Sequence, residues 1–567
     1  MIASKSAREM LASRVLSMYA DRATWIPHFR ELSAYYQPRL GRFLSGDRNK
    51  GTKKNGSIIN EAGMLAHESL TNNIFSGVTN PARRWFGIGV NDQRLKEAGD
   101  VRFWLDDVER IFYRVFEKSN FYDSVHSLFS EQSLFGTAAM LIDRDFDDII
   151  RCKTFTAGQY AAATNSKNQL SAFTIEYDMT VEQMVDAFGL PGEGRRHHVS
   201  NAIANLYKEG DLGATRTIQV LWEENDDRID VGLFNSEKWA YRCVFWEKGS
   251  KAEDGFYRVS GYRIMPVVMP RWDVVGEDVY GWSPAMYALS AVKGLQMGER
   301  RLAKQMELVG APPVAGSLGL QNQPISLLPG GVTLGPDTQV SRPVLSAVYQ
   351  INPRLGEMQA KLTETEERIR RAFKVDLFLL ASQSNVQRTA REVEERSDEK
   401  LQALGPVMER QRNELLDPVI DILFDYALEA GILPDAPQSI AGQELQIDYI
   451  STLAQAQKSV GVYTIERHAQ FVAGMVQMTG DPKYADKFDI DQAIDTHADL
   501  VGLPARINRS DEDVDNIRGQ REQAQARQNQ LDQAATGAAA AKDASQAQVE
   551  DGNLLERIIE GAQPVPQ

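Results

Sequence analysis

The chain has 567 residues and a formal net charge of −15 at pH 7. That length exceeds what one hydrophobic core supports, so we expect two or more packed units. Hydrophobic residues make up 43% of the chain, and no apolar stretch reaches the roughly 18 residues of a membrane span. The acidic balance argues against tight wrapping of nucleic acid, because sustained phosphate contact needs a basic surface.

The cysteines and the N-terminus indicate a reducing compartment. Cys152 and Cys243 are the only cysteines, and they lie far apart without the spacing of a metal site or a disulfide framework. The N-terminal residues include Lys5, Arg8 and Arg14 and lack a secretory apolar core. We therefore expect a protein that is cytosolic or assembled in the cytosol.

The first 135 residues are predicted to be largely helical. Apolar residues at spacings of three and four predict helices at 7–24, 25–36, 59–76, 103–117 and 122–134, followed by a buried strand at 136–142. Residues 37–56 interrupt this pattern with glycines and basic side chains. A solvated loop is the favoured interpretation and a nucleic-acid contact the alternative. The basic residues are Arg39, Arg42, Arg48, Lys50, Lys53 and Lys54.

From about residue 149 to 270 the apolar period shifts towards two, which predicts strands. Alternating segments at 217–223, 229–233, 240–246 and 256–260 predict a β-meander. Thr180 and Gln183 have the spacing of a capping box that opens a short helix. This part of the chain is predicted to be α+β.

Two long helices are predicted to flank a lobe with few charges. Ser283 is a good N-cap and Pro284 a good first helical residue for a helix that continues to about Val309. Residues 311–353 contain seven prolines, five glycines and two charged residues, which favours a small docking lobe over a solvated linker. A second, densely charged helix is predicted at 356–376.

The remainder is predicted to be helical after a polar break at 381–388. A capping box at Thr389 and Glu392 opens the longest helix, which Gly405-Pro406 and Pro418 should bend before it ends near Glu429. A smaller helical unit spans 451–501. The tail at 518–548 is rich in Gln and Ala but has no apolar stripe, so a core-packed helix is not expected there.

Motifs for catalysis are missing from the sequence. It contains neither a Gly-x-x-x-x-Gly-Lys-[Ser/Thr] phosphate loop nor a Gly-x-Ser-x-Gly elbow. His197 and His198 are adjacent and lack clustered ligand residues, so no metal site and no cofactor are predicted. The tryptophans Trp25, Trp85, Trp104 and Trp282 sit in apolar patterns and are assigned to the core.

A set of short motifs, in this order and spacing, carries a resemblance to a known family. The chain resembles the head-to-tail connector (portal) proteins of short-tailed bacteriophages over most of residues 10–510. The supporting motifs are Trp25…Tyr36…Pro38, Gly77–Pro81 with Trp85-Phe86, Glu131–Ala139, Glu176–Met179, Arg271-Trp272 with Glu277–Gly281, and Gln387–Glu392.

The resemblance implies a non-enzymatic, predominantly α-helical α+β subunit that assembles into a ring of twelve at one capsid vertex. Its expected regions are a wing (1–283), a first stem helix (284–310), a clip (311–353), a second stem helix (354–378), a tunnel loop (379–388), a long bent wing helix (389–433), a crown (434–508) and a tail (509–567) that forms a barrel or is disordered.

Three groups of site residues follow from the same resemblance. The tunnel loop is expected to face DNA, the second stem helix to line the channel, and the clip to dock partners. For the tunnel loop, an ordinary helix–helix turn is the alternative. The residues are Ser382, Gln383, Ser384, Asn385, Gln387 and Arg388 in the loop; Glu364, Glu367, Arg368 and Arg371 on the helix; and Pro312, Pro313, Leu327, Leu328 and Pro329 in the clip.

The implied partners are further copies of the chain, the terminase large subunit, tail adaptor and tail tube proteins, major capsid and scaffolding proteins, and double-stranded DNA, with no membrane. The implied location is the head–tail junction of the virion, after assembly in the host cytoplasm. On the second stem helix, the mixed charges are hypothesised to turn bases towards neighbouring subunits and acids towards the bore. A soluble multidomain enzyme or binding module, with its site in residues 150–270, is the alternative function.

Overall fold

The computed structural model describes residues 7–43, 54–90, 99–192, 197–229, 236–250, 255–310, 314–316, 345–347, 354–375, 405–440, 445–449, 452–501 and 511–550. The chain divides into two compact units. The first comprises Met1–Gly87, Val108–Pro434 and Ile447–Val460, and the second comprises Ile88–Asp107, Asp435–Gln446 and Gly461–Gln567. The prediction of more than one packed unit is confirmed.

The first third of the chain is helical and then turns to strands, in the predicted order. The predicted helix bounds hold to within a few residues, and the predicted strand at 136–142 begins three residues later. The elements are α1 (Ala7–Ala23), α2 (Ile26–Tyr35), α3 (Ala62–Val78), β1 (Phe86–Val90), α4 (Gly99–Lys118), α5 (Phe121–Phe135), β2 (Ala139–Asp145), β3 (Ile149–Phe155), β4 (Tyr160–Thr164) and β5 (Leu170–Thr180).

The middle third completes the sheets and contains the two long helices. The elements are α6 (Val181–Phe188), α7 (Asn201–Lys208), β6 (Thr215–Glu224), β7 (Tyr241–Glu247), β8 (Arg258–Tyr262), β9 (Val267–Val268), α8 (Pro284–Gly310), β10 (Val314–Gly316), β11 (Leu345–Ala347) and α9 (Leu355–Ala372). The predicted capping box is confirmed, because the Thr180 hydroxyl accepts from the Gln183 amide and the Gln183 side chain accepts from the Thr180 amide.

The last third is again helical. The elements are α10 (Gly405–Gln411), a π-helical turn (Arg412–Leu416), α11 (Asp417–Glu429), β12 (Leu445–Tyr449), α12 (Thr452–Thr479), α13 (Ile490–Val501) and α14 (Asp511–Glu550). The predicted long helix therefore has an irregular turn directly before Pro418. The first part of that helix, with its predicted capping box, lies outside the described residues.

In the described part of the chain, four sheets pair the strands, and the largest of these has the order β4-β5-β6-β7-β8 with every neighbouring pair antiparallel. The others are β3-β2-β9, β1-β12 and β10-β11. The meander prediction is correct for β6, β7 and β8. The strand predicted at 229–233 is wrong at its first residue, because Ile229 follows the Asn225–Arg228 turn and lies in no strand. The other residues of that segment, 230–233, lie outside the described part.

Helix α1 covers one face of the five-stranded sheet. Its residues Leu11, Val15 and Met18 pack with Leu221, Val244 and Trp246 in a buried cluster. The acidic Glu223 is also buried here, and it is neutralised by ion pairs to Arg14 and Arg242.

Of the tryptophans assigned to the core, Trp85 and Trp104 are buried, whereas Trp25 and Trp282 are only partly buried.

The second unit contains most of α12 together with α13 and α14. Helix α14 is 40 residues long, and the side chains described along it are mostly exposed, including Leu531 at 70%. This agrees with the expectation that the Gln/Ala-rich tail is not a core-packed helix. Arg518 of α14 donates two hydrogen bonds to Asp491 of α13, at 2.7 and 2.8 Å. Among the described residues, no helix is both long and apolar enough to span a bilayer.

Candidate functional site

The two long helices α8 and α9 form the part of the molecule that the sequence singled out, and α8 begins at the predicted residue. The Ser283 hydroxyl accepts from the Met286 amide at 3.1 Å and donates to the Leu134 carbonyl at 2.7 Å. The Tyr36 hydroxyl donates to the Ala285 carbonyl at 3.0 Å. These bonds cap the helix and also fix its first turn to α2 and α5.

The approach to α8 depends on two glycines from separate motifs. Gly136 has a φ of +76°, and a Cβ on it would lie 2.2 Å from the Gly281 carbonyl oxygen. A Cβ on Gly281 would lie 2.4 Å from the Gly136 carbonyl oxygen. The two backbones thus meet at a distance that only glycine allows, which explains why both motifs contain glycine at this point.

Further along, α8 and α9 run antiparallel in close contact. A Cβ on Gly298 would lie 2.5 Å from Cδ2 of Leu362, so glycine lets α9 approach at this position. Leu295 and Leu302 of α8 are buried, as are Leu362 and Ile369 of α9. We refer to α8 and α9 together as the helical hairpin.

A segment before α3 ties the two helices together. The Asn60 side-chain amide donates to Glu299 of α8 at 3.0 Å and to Glu366 of α9 at 2.8 Å. The Gln296 side-chain oxygen accepts from the amides of Ile59 and Asn60, at 2.6 and 2.9 Å, and its nitrogen donates to the Asn60 carbonyl at 2.7 Å. This bridge was not predicted from the sequence, although Gln296 is a polar residue within an apolar stripe and could have indicated it.

The end of α9 is packed into the interior. Phe373 is fully buried, with its ring 5.6 Å from Tyr36 and 6.5 Å from His67. Desolvation lowers the pKa of the buried His67 to about 4, so its imidazole is neutral, and Nε2 lies 2.9 Å from the Ser130 carbonyl. Helix α9 ends at Ala372, four residues before the predicted end, and Lys374 follows with a φ of +52°.

The predicted channel residues lie on the outer surface of α9 and are exposed. Lys361 pairs with Glu364 at 2.9 Å and lowers the pKa of that carboxyl, while Arg371 pairs with Glu367 at 3.3 Å. At about 100° per residue, positions 364, 367 and 371 fall on one side of the helix. Along α9, Glu364 and Glu367 come before Arg368 and Arg371. Around the helix axis, these acids and bases share the same side. The orientation of this surface in an assembly stays a prediction.

The other two groups of predicted site residues lie outside the described residues. They are the loop residues Ser382, Gln383, Ser384, Asn385, Gln387 and Arg388, and the clip residues Pro312, Pro313, Leu327, Leu328 and Pro329. Within the predicted clip, the structure describes the antiparallel pair of β10 and β11, in which Val314 lies opposite Ala347.

A buried ion pair links the Arg271-Trp272 motif to the π-helical turn. The Arg271 guanidinium contacts Glu414 at 2.6 Å and donates to the Asn168 side chain and carbonyl at 2.9 and 2.8 Å. The Arg271 amide also donates to Glu414 at 2.8 Å. The side chains of Arg271 and Glu414 are 4% and 19% exposed, so they are held largely out of water. The extra residue of the π-helical turn shifts the direction in which Glu414 points. Nothing in the sequence had indicated the ion pair between Arg271 and Glu414.

Residues 150–270 show no assembled chemical site among the parts that the structure describes. His197 lies 3.7 Å from Glu237, and Nδ1 of His198 lies 2.9 Å from the Val199 carbonyl. The described residues contain no group of three or more His, Cys, Asp or Glu placed to hold a metal ion. Burial raises the pKa of the Cys152 thiol to about 12, which makes it a poor nucleophile. A cavity of about 570 Å³ lies beside α1 and is lined by Leu16, Tyr19 and Trp246 among others.

Comparisons with known proteins bear on most of the chain. The family described as bacteriophage head to tail connecting protein matches residues 8–508. The chain is 36% identical over 522 residues to the "Probable portal protein" of Bordetella phage BPP-1, covering 92% of each chain. It is 34% identical over 559 residues to the "Portal protein" of Salmonella phage epsilon15, covering 98% of each. A chain from the virion of a native gene transfer agent particle matches with a TM-score of 0.35 and 11% identity, over 84% of this chain and 98% of that one.

Proposed function

We propose that this chain, which belongs to the family of bacteriophage head-to-tail connecting proteins, is a structural portal protein and not an enzyme. Twelve copies form a ring at one capsid vertex. The ring encloses the channel through which the genome is packaged and later ejected.

The observation that carries the proposal is the helical hairpin. Helix α8 has 27 residues and α9 has 18, and they pack tightly on each other while their outer surfaces are exposed. At 1.5 Å per residue they are about 40 and 27 Å long. Such a hairpin is suited to standing beside copies of itself around an axis.

The dimensions of such a ring fit double-stranded DNA. Twelve helices spaced at 8–10 Å have centres on a circle about 31–38 Å across, and subtracting one helix diameter leaves roughly 21–28 Å. A duplex about 20 Å wide passes through that opening. The net charge of −15 is compatible with a conduit, because a surface of like sign does not hold the phosphates.

Within this ring, α8 and α9 are the stem, residues 311–353 the clip, and residues 379–388 the tunnel loop that faces DNA. The remaining regions are the wing at 1–283, the long bent wing helix at 389–433, the crown at 434–508 and the tail at 509–567. The clip docks the terminase large subunit during packaging and the tail adaptor and tail tube proteins afterwards. Capsid and scaffolding proteins contact the outside of the ring during assembly in the host cytoplasm.

Particle mass and shape test the ring. Twelve subunits of 63.4 kDa would weigh about 760 kDa, and negative-stain images should show an annulus with a central hole. A chain that stays a monomer at every concentration, with no annulus in virions, would refute the proposal.

Two variants test the assigned regions. Deleting 316–336 should abolish packaging because the motor loses its docking site, and normal packaging would remove the clip assignment. Replacing Gln383 and Asn385 by alanine should change DNA retention while rings still form. Unchanged retention would favour an ordinary turn at 379–388.

A further inference from the structure

The turn before the bridge at Asn60 contains the single Asn-Gly pair of the sequence. Asn55 is followed by Gly56, whereas every other asparagine is followed by a different residue. Both residues are exposed, and they lie outside the helices and strands. The Ile58 amide donates to the Asn55 carbonyl at 3.2 Å and closes the turn. The pair is therefore open to water, next to the segment that ties the two helices of the hairpin together.

The missing side chain of Gly56 leaves its backbone nitrogen accessible. A Cβ built on Gly56 would meet no heavy atom within 4 Å beyond its chain neighbours, so the surrounding structure does not crowd the position. Glycine also has the widest range of backbone conformations. The nitrogen of Gly56 can therefore approach the side-chain amide carbon of Asn55.

We propose that Asn55 is a site of spontaneous deamidation, in which water is the only co-reactant. The deprotonated nitrogen of Gly56 attacks Cγ of Asn55. A bond forms between these two atoms, and the bond between Cγ and Nδ2 breaks. The leaving nitrogen takes up the proton and departs as ammonia. A cyclic succinimide remains in the main chain.

Water then opens the succinimide in one of two ways. Addition at Cγ restores the normal main chain and leaves aspartate at position 55. Addition at the main-chain carbonyl carbon leaves isoaspartate, in which the main chain passes through the β-carbon. Either product places a new negative charge beside Lys54, at the end of the stretch 37–56 that is rich in bases.

Isoaspartate changes the turn as well as the charge. The carbonyl oxygen that accepts from Ile58 becomes part of a side-chain carboxylate, and the main chain gains an atom. The turn leads directly into Ile59 and Asn60, whose amides donate to the Gln296 side chain at 2.6 and 2.9 Å. These bonds hold the segment on α8. The modification should therefore loosen the bridge between α8 and α9.

Asn72 provides an internal comparison, because it has the same side-chain amide in a different setting. It is exposed, but it lies within α3 and is followed by Asn73. Its Oδ1 lies 2.9 Å from Nε2 of His126. In a helix the next backbone nitrogen is held in the hydrogen-bond ladder and cannot turn towards the side chain. Asn72 should stay intact while Asn55 reacts.

Peptide mapping of the purified full-length chain after storage at mildly alkaline pH tests the site. Mass spectrometry should show conversion at Asn55 at least about tenfold faster than at Asn72. The rate should rise with pH, because the attacking nitrogen must lose its proton.

The variant Gly56→Ala tests the role of the glycine. Conversion at Asn55 should slow by about tenfold or more, since the added methyl group obstructs the attack. The variant should fold normally, because the new Cβ enters open space.

Hydrogen exchange tests the effect on the hairpin. In stored wild-type protein the amides of Ile59 and Asn60 should exchange faster than in fresh protein. The matched control is Asn55→Gln, in which cyclisation would need a larger and less favourable ring. After the same storage, its amides should exchange as they do before storage.

The outcomes distinguish the site from its effect. Conversion at Asn55 that is no faster than at Asn72, or equally fast in Gly56→Ala, would overturn the site. Unchanged exchange at Ile59 and Asn60 after complete conversion would overturn the effect on the bridge. None of these measurements depends on ring formation, so their failure is separate from a failure of the proposed function.

Discussion

Charged and polar side chains are used in opposite ways in the interior of the subunit and on the outer faces of the helical hairpin. In the interior, Arg271, Glu223 and Gln296 are buried, and each is held by several partners. On the hairpin, Glu364 and Arg371 are exposed, and the ion pairs that the described residues form with them lie along their own helix. A buried charge constrains the fold of one subunit, whereas an exposed one leaves that fold almost unaffected and is available to a neighbour.

The largest expected effect breaks an interior pair. Arg271→Ala leaves Glu414 partly buried without its main partner, and it should lower the free energy of unfolding by about 3–5 kcal/mol. Urea unfolding measures this change. The matched control is Arg354→Ala, which removes an exposed pair with Glu357 and should cost less than about 0.5 kcal/mol. Equal losses in the two variants would contradict the comparison.

The buried histidine gives a pH-dependent test of nearly the same size. The pKa of His67 in the folded chain, about 4, lies below its ordinary value of 6.5, so folding favours the neutral ring. Its contribution is present above pH 6.5 and is lost as the pH falls towards 4, by about 3 kcal/mol. The unfolding free energy of the wild type should therefore fall relative to that of His67→Gln across this range.

Glu131 supplies the opposite sign as a control. It accepts from the Ala157 amide at 3.1 Å, and burial raises its pKa to about 7. Folding favours its protonated form, so its contribution is lost as the pH rises from about 4.5 to 7. Relative to Glu131→Gln, the wild type should lose stability in that direction. Parallel pH curves for the wild type and both variants would rule out this account.

A smaller effect is expected at the bridge between the hairpin helices and the segment before α3. Asn60→Ala removes the donor shared by Glu299 and Glu366 and should cost about 1–3 kcal/mol. Because Gln296 binds the backbone of the same segment, the loss in the double variant with Gln296→Ala should differ from the sum of the single losses. Additive losses would show that the two side chains act independently.

The smallest effect on the subunit is expected at the outer face of α8. Met297 is 54% exposed, so Met297→Ser should change the free energy of unfolding by less than about 0.5 kcal/mol. The buried Leu295, two positions earlier, should lose several times more when changed to serine. Equal losses at the two positions would contradict the burial of Leu295 and the exposure of Met297.

Local rules determined much of this protein from the sequence. Ser283 and Pro284 begin α8 because capping and the fixed φ of proline are properties of neighbouring residues, and the capping box at Thr180 and Gln183 formed for the same reason. The shift of apolar period from 3.6 to 2 likewise located the α+β region.

Tertiary structure alone decided which distant residues meet. Gly136 meets Gly281, Gly298 meets Leu362, and Arg271 meets Glu414 across separations of more than sixty residues, and no local spacing encodes these pairs. The π-helical turn, the early end of α9 at Ala372 and the bridge at Asn60 have the same origin. Where buried groups need partners, the free energy of packing outweighs the local preference of the chain. These contacts therefore depend on the whole fold and not on neighbouring residues.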